Sequence, residues 1–180
     1  MDKALKVINE MEKERQMMYL SRDSAEFLAN ICRKLKPENV LEIGTFQGYS
    51  ALWLSLFSKK VTCLEIDKES IIIAEENFKK AGQKSISIIE GPAIETLKKL
   101  KEKFDLVLID ARKSEYAEYL KLVLKLTNED ALIFADNTIS HKDSMLEFFE
   151  YLRNSSLYYK ELNLGKGLVV ISKCFISKDL

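Results

Sequence analysis

Two glycines and an acidic residue mark a ligand-binding turn in the first third of the chain. The segment VLEIGTFQGYS places Glu42-Ile43-Gly44 at the end of an apolar run, followed by a tight turn over Thr45–Gly48 and a helix expected to begin at Tyr49 or Ser50. Such a turn brings backbone N–H groups close to a ligand at the C-terminal edge of a parallel sheet, and glycine permits the close approach. The spacing E-x-G-x-x-x-G differs from the G-x-G-x-x-G that binds a dinucleotide pyrophosphate. The sequence therefore favours a cofactor without phosphates.

A second carboxylate follows at the distance that suits a ribose. Glu65 ends the run VTCLE, about 20 residues after the glycine turn, where it could accept both ribose hydroxyls. Asp67 is predicted to cap the helix that follows it. After the third apolar run, Gly91-Pro92-Ala93 would offer a small slot for an adenine, although Pro92 serves equally well to open a helix. Ordinary strand-to-helix turns could explain each feature alone, but the turn, the offset and the acid occur together in order.

These residues require parallel strands to position them. Short apolar runs alternate with longer helical stretches, which predicts a parallel sheet covered on both faces. Two further runs flank Gly165-Lys166-Gly167 and predict a closing antiparallel hairpin. The expected strands are Val40–Ile43, Val61–Ile66, Ile86–Ile89, Phe104–Ile109 and Ala131–Ala135, then Tyr158–Leu164 and Leu168–Ser172.

Two helices are expected before the first strand. Residues 2 to 17 carry apolar side chains at three- and four-residue spacing, which predicts one apolar stripe on a charged helix. A second helix is predicted to start near Asp23, whose offset to Glu26 resembles a capping box, and to end before Pro37. We interpret residues 1–180 as a single domain, with N-terminal helices over 1–36 and an α/β core over 37–180.

Composition limits the function classes. The 28 basic and 28 acidic residues of the 180-residue chain cancel, so charge does not support a nucleic-acid partner, although it does not exclude one. No segment approaches the roughly 18 apolar residues of a membrane span. Cys32, Cys63 and Cys174 are odd in number and lie in apolar runs, which favours buried reduced thiols and a cytoplasmic location.

Five stretches together resemble one enzyme family. LEIGTFQGYSALWL, the acid of LEID, FDLVLIDARKSEYAEYL, ALIFADN and LGKGLVVISK follow the order and spacing of the cation-dependent O-methyltransferases, which include catechol and caffeoyl-CoA O-methyltransferases. The resemblance runs from about Tyr19 to Lys173. It implies an S-adenosylmethionine (SAM)-dependent enzyme with a Rossmann-like α/β fold: a mostly parallel seven-stranded sheet, a C-terminal antiparallel hairpin, and helices on both faces.

The resemblance also implies roles for individual residues. Asp110, Asp136 and Asn137 would bind Mg²⁺ or another divalent cation, for which oxygen ligands are suited. Lys113 would act as general base on a hydroxyl made more acidic by the cation, so Asp110 and Lys113 form the catalytic set. The implied cofactor-binding residues are Glu42, Gly44, Thr45, Phe46, Gly48, Tyr49, Ser50, Glu65, Gly91, Pro92, Ala93 and Asp110.

The chain departs from the family around the acceptor site. Arg112 stands where many relatives carry an acid, Ser140 replaces the usual tryptophan, and the stretch after Asn137 is short. His141 is expected to cap or precede a helix and is not placed in the catalytic set. An open site could take a large substrate or be closed by a second subunit, so a homodimer and a monomer both fit.

Three functions remain open on the sequence. The first is methyl transfer to a small hydroxylated molecule, a catechol-like phenol. The second is methylation of a hydroxylated wobble uridine in transfer RNA, for which only the lysine cluster between Lys98 and Lys103 could argue. The third is a catalytically silent SAM-binding module or a nicotinamide-dependent oxidoreductase. The coexistence of Asp110, Lys113 and Asp136 disfavours the former, and the glycine spacing disfavours the latter.

Overall fold

The computed structural model describes residues 1–14 and 17–175, which form seven strands and seven α-helices. The strands are β1 Asn39–Ile43, β2 Lys60–Glu65, β3 Ile86–Glu90, β4 Phe104–Ile109, β5 Thr127–Asp136, β6 Tyr158–Leu162 and β7 Leu168–Ser172. The helices are α1 Asp2–Lys13, α2 Arg22–Leu35, α3 Tyr49–Ser55, α4 Lys68–Ala81, α5 Ala93–Lys99, α6 Tyr116–Leu126 and α7 Leu146–Asn154. Short 3-10 helices cover Lys113–Glu115 and Lys142–Met145.

The strands form one mixed sheet in the order β3-β2-β1-β4-β5-β7-β6. Strands β1 to β5 pair in parallel, and β7 pairs antiparallel with both β5 and β6. This confirms the predicted mostly parallel seven-stranded sheet with a terminal hairpin. The chain order reverses between β1 and β4, and ligands of open α/β sheets bind outside the carboxyl ends of the strands at such a point.

Both faces of the sheet are covered, as predicted. Alternate residues of a strand point to opposite faces: Val40 of β1 packs with α1 to α4, while Leu41 packs in the cluster of α5 to α7. Leu106 and Val107 of β4 divide between the two clusters in the same way. The central strands β1 and β4 therefore read as largely apolar runs because both of their faces are buried. The edge strands β3 and β6 are half-buried or exposed.

The N-terminal helices differ in detail from the expectation. Helix α1 buries its predicted apolar stripe but ends at Lys13; residues 15 and 16 of the longer prediction lie outside the described residues. The predicted cap at Asp23 is wrong, because Ser21 accepts a hydrogen bond from the Ser24 backbone N–H at 3.1 Å and α2 begins at Arg22. Ser21 thus satisfies a free N–H of the first turn, and Asp23 lies within that turn.

Other predicted features also have clear outcomes. Asp67 caps α4 as expected, its Oδ2 accepting from the Ser70 N–H at 2.8 Å. Strand β5 begins earlier than predicted, because Thr127 pairs with Phe104 before a register shift. Two cysteines are buried as predicted, but Cys174 is exposed because it follows the end of β7. Within residues 1–14 and 17–175, no helix has the length and apolar character to cross a membrane.

Candidate active site

The turn after β1 is held where two strand ends converge. Gly44 has φ +84° and donates its N–H to the Leu64 carbonyl of β2 at 2.9 Å. A Cβ at this position would lie 2.3 Å from the Asp110 carbonyl oxygen beyond β4. Gly48, with φ +86°, occupies the N-cap position of α3. The structure thus brings the turn against Asp110, and only glycine fits at position 44.

Glu65 ties this turn to β2. Its Oε2 accepts from the Phe46 N–H at 2.8 Å, and its Oε1 accepts from the N–H groups of Ile66 at 2.8 Å and Asp67 at 3.0 Å. Phe46 itself has a left-handed φ of 49°. The carboxylate expected at ribose spacing therefore also fixes the backbone of the turn, a contact that the spacing alone did not predict.

Glu42 is a fully buried carboxyl group beneath the turn. Its Oε2 accepts from the Thr45 hydroxyl at 2.5 Å and from the Cys63 thiol at 3.4 Å. Its Oε1 has no hydrogen-bond partner within the described part of the chain. Burial raises the pKa of Glu42 to about 7, although hydrogen bonds from Ser50, Thr45 and Cys63 act in the opposite direction. The free oxygen can receive the cationic group of a ligand.

Tyr49 contributes its ring to the cavity wall, while its hydroxyl points to the N-terminal helix. The ring stacks on Tyr19 with centroids 5.1 Å apart, and the hydroxyl donates to Glu12. Tyr19 in turn donates to Gln47 Oε1 at 2.6 Å. These contacts fasten the segment after α1 over the glycine turn. The sequence did not indicate this arrangement, because the bonded residues are 28 and 37 positions apart in the chain.

Asp110, Lys113 and Tyr116 form a second polar group at the end of β4. The Lys113 ammonium lies 2.8 Å from Asp110 Oδ1 and 3.0 Å from the Tyr116 hydroxyl. Tyr116 is fully buried and donates to the Asp136 carbonyl at 3.3 Å. Burial and the charges of Asp110 and Asp136 raise the pKa of its phenol. Tyr116 is therefore a neutral donor that orients its neighbours, rather than a base.

Asp136 and Asn137 complete this group at the end of β5. Asp136 is 2% exposed, and its Oδ2 accepts from the Asn137 amide at 2.8 Å. Its Oδ1 has no partner in the described residues. Burial and the nearby negative charge of Asp110 raise the pKa of Asp136, against the effect of Lys113 and Lys166. Asn137 adopts a left-handed φ of 62°.

The arrangement of Asp110, Asp136 and Asn137 fits a hard cation by its donor chemistry. A buried carboxylate oxygen without a partner, next to a second carboxylate, is costly unless a positive charge is supplied. Among residues 1–14 and 17–175, however, no cluster contains three or more His, Cys, Asp or Glu side chains. The predicted ligand set has two carboxylates and one amide, so acceptor oxygens or water would have to supply the remaining positions of a six-coordinate ion.

Two adjoining cavities bring most of the predicted residues together, but Glu42, Gly48 and Asp136 line neither of them. The larger, of about 720 Å³, is lined by Gly44, Thr45, Phe46, Tyr49, Ser50, Glu65, Asp110, Lys113 and Asn137 among others. The smaller, of about 390 Å³, is lined by Gly91, Pro92, Ala93, Glu115 and Tyr119 and shares Gly44 and Glu65 with the larger. Helix α5 starts at Ala93, so Pro92 also opens that helix.

Some lining residues were not predicted as site residues. Arg112 contributes to both cavities and pairs with Glu115 at 3.6 Å. His141 lines the larger cavity and lies 2.8 Å from the Ser140 hydroxyl, preceding a 3-10 helix as expected. Lys166 also lines this cavity, and its place in the glycine-flanked hairpin turn was a signal that could have identified it.

Comparisons with known proteins identify the family of the chain. A family model described as O-methyltransferase matches residues 2–163. The chain is 35% identical over 128 residues to a catechol O-methyltransferase from Niastella koreensis, covering 67% of this chain and 58% of that protein. It is 31% identical over 163 residues to caffeoyl-CoA O-methyltransferase 1 from Eucalyptus globulus, covering 84% and 66%. The chain thus spans less than two thirds of each of these relatives.

The fold also matches solved structures. A methyltransferase from Podospora anserina, with S-adenosylhomocysteine (SAH) bound, superimposes with a TM-score of 0.84 at 24% identity, covering 96% of this chain and 88% of that one. At that identity, the similarity shows the Rossmann-like methyltransferase fold.

Proposed function

The chain belongs to the O-methyltransferase family, and on this premise we propose that it transfers the methyl group of SAM to a hydroxyl of a small catechol-like molecule with the help of a divalent cation. The observation that carries the proposal is the larger cavity. It places the glycine turn and Glu65 beside Asp110, Lys113 and Asn137. A cofactor in the turn would therefore lie next to an acceptor held by the second polar group.

The cofactor residues divide by the part of SAM that they would contact. The larger cavity would hold the methionine part, with Thr45, Phe46, Tyr49, Ser50 and Asp110 in its wall and Gly44 admitting the backbone. The free Glu42 oxygen, buried beneath the turn, would receive the amino group, and Gly48 would begin the helix beside it. Glu65 would accept the ribose hydroxyls. The small residues Gly91, Pro92 and Ala93 leave room for the adenine in the adjoining cavity.

Asp110, Asp136 and Asn137 would hold the cation, for which Mg²⁺ is the best fit to oxygen donors. A bound cation would stabilise the conjugate base of the acceptor hydroxyl. Support comes from the buried Asp136 Oδ1, which lacks a partner in the described residues.

Lys113 would take the proton of the acceptor hydroxyl at Nζ. Asp110 and the Tyr116 hydroxyl fix that nitrogen from two sides, at 2.8 Å and 3.0 Å. The acceptor oxygen then forms a bond to the methyl carbon as the carbon–sulfur bond breaks, leaving SAH. Catalysis would depend on positioning and electrostatics, without a covalent enzyme intermediate.

The test combines binding and turnover. SAH should bind without a cation, and a catechol should bind to the SAH complex only with Mg²⁺. Asp136→Ala should keep SAH binding but abolish Mg²⁺-dependent catechol binding and lower turnover by about 100-fold or more. Asp143→Ala, at an exposed carboxylate of the 3-10 helix Lys142–Met145, is the matched control.

Two results would contradict the proposal at different points. Absence of SAH binding would refute the methyltransferase assignment. Catechol methylation that neither Mg²⁺ nor Asp136→Ala affects would refute cation assistance alone.

The transfer RNA alternative gains no specific support. In the lysine cluster, Lys98 pairs with Glu95 at 3.0 Å and Lys103 donates to the Lys125 carbonyl at 2.7 Å. These contacts are typical of a solvated helix face. The free buried thiols of Cys32 and Cys63 are in keeping with the cytoplasmic location that we propose.

A further inference from the structure

The tip of the β6–β7 hairpin brings one lysine to the acceptor side of the larger cavity. Lys166 lines that cavity together with Asp110, Lys113 and Asn137. Its ammonium donates to the Met17 carbonyl at 3.0 Å. Within residues 1–14 and 17–175, Lys166 has no carboxylate within 4.0 Å. Its positive charge also acts on the buried carboxyl of Asp136, but the hydrogen-bond partner of the ammonium is a neutral carbonyl, which a charged group can displace.

The other charged side chains that line this cavity have partners. Asp110 is paired with Lys113 at 2.8 Å, and Arg112 is paired with Glu115 at 3.6 Å. Glu65 accepts from three backbone N–H groups, as described above. The cavity therefore presents an available positive charge at Lys166.

The backbone of the hairpin tip holds Lys166 in place. The Lys166 carbonyl accepts from the N–H groups of Ile139 at 3.1 Å and Ser140 at 3.0 Å. Gly167 has φ +98°, and a Cβ there would lie 2.4 Å from the Ile139 nitrogen. The tip is thus packed against the loop that follows Asp136 and Asn137, so the backbone of Lys166 has a fixed position relative to the proposed cation ligands, while its side chain is exposed.

From this placement we propose that Lys166 selects acceptors that carry a negatively charged group, and that the preferred acceptor is a catechol bearing a carboxylate. The proposal rests on the proposed methyl transfer to a catechol and names its substrate class. A carboxylate on the acceptor would replace the Met17 carbonyl as the partner of the Lys166 ammonium. The diol would remain at Asp110, Asp136 and Asn137.

The measurement is a ratio of two acceptors that share the same diol. Protocatechuate carries a ring carboxylate, and its amide is neutral and nearly equal in shape. We expect Lys166→Met to lower the ratio of kcat/KM for the acid to that for the amide by about fivefold, because the Lys166 side chain is exposed and solvent screens an ion pair made there. Calorimetric binding of both acceptors to the SAH–Mg²⁺ complex should change in the same ratio.

Two variants complete the design. Lys160→Met, on β6 of the same hairpin and outside the cavity lining, removes a lysine of the hairpin without changing the cavity and should leave the ratio as in the wild type. Lys166→Glu should reverse the preference, so that dopamine, a cationic catechol, becomes a better acceptor than protocatechuate.

The outcomes separate this inference from the proposed function. If the wild type methylates catechols but Lys166→Met changes the ratio by less than about twofold, the inference is refuted while the proposed function stands. An equal loss of kcat/KM for the acid and the amide would also overturn the inference, since Lys166 would then affect methyl transfer to every catechol and not the choice of acceptor. If Lys166→Met lowers the methylation of transfer RNA and leaves the acid-to-amide ratio for catechols unchanged, the inference is refuted and Lys166 is reassigned to phosphate binding. If no catechol is methylated, both the function and the inference fail.

Discussion

Glu42→Gln should change the pH dependence of folding stability. The Glu42 carboxyl is fully buried, and its pKa is raised from 4.5 to about 7. An ionised Glu42 therefore destabilises the folded protein without a bound ligand. Glutamine keeps the side-chain shape and an oxygen for the Thr45 hydroxyl, but it cannot ionise.

The sign and size of the effect follow from proton linkage. Between pH 4.5 and about pH 7 the folded state binds one more proton at Glu42 than the unfolded state. The contribution of Glu42 to the free energy of unfolding is therefore complete below pH 4.5 and is lost as the pH rises through 7. At about 1.36 kcal/mol per pKa unit, this shift lowers the free energy of unfolding by about 3 kcal/mol once the pH is above both the folded and the unfolded pKa of Glu42. Between about pH 5 and pH 8.5, the wild type should lose about 2.5 kcal/mol more than Glu42→Gln.

Urea unfolding of both proteins at these two pH values measures the effect. Other groups titrate in both proteins, so the difference between the two free energies of unfolding isolates position 42. Glu38→Gln, at an exposed carboxylate, is the control and should show no comparable change. A difference between wild type and Glu42→Gln that stays constant with pH would refute the raised pKa.

Three further predictions follow from the turn and the thiols. Gly44→Ala should lower stability by about 2 kcal/mol or more and abolish SAH binding, because its Cβ would lie 2.3 Å from the Asp110 carbonyl. Gly82→Ala, whose Cβ meets no atom closer than 3.9 Å, should keep SAH binding in the same titration. Glu65→Gln should weaken SAH binding by about tenfold or more; unchanged affinity would exclude the ribose role. Cys174 alone should react quickly with a thiol reagent in the native protein, and the other two cysteines only after unfolding.

The sequence predicted those features that depend on local pattern. Both faces of the central parallel strands are buried, so strands such as Phe104–Ile109 were visible as apolar runs with correct ends. The glycine turn was predicted from local spacing, and the same spacing placed Glu65 beside it, where its Oε2 accepts from the Phe46 N–H. The ribose contact of Glu65 stays a prediction. The mistaken cap at Asp23 arose because Ser21, two residues earlier, can make the same hydrogen bond.

Contacts between distant parts of the chain could not be predicted in this way. The hydroxyl of Tyr49 turns to Glu12, and Lys166 reaches Met17 across 149 residues. Nothing in the spacing of these residues indicates their proximity, because it results from the packing of the N-terminal segment and the hairpin tip on the sheet.

The position of β7 has a consequence for the way the protein forms during synthesis. β7 follows the six other strands in the chain, yet it lies inside the sheet, between β5 and β6. Until Leu168–Ser172 leaves the ribosome, the backbone N–H and C=O groups along one side of β5 have no strand to pair with, although the second half of β5 is apolar. An open apolar edge of this kind pairs readily with other chains. We therefore expect ribosome-bound intermediates that end before β7 to depend on chaperones. The tendency of β5 to pair with other chains should disappear once β7 has inserted into the sheet.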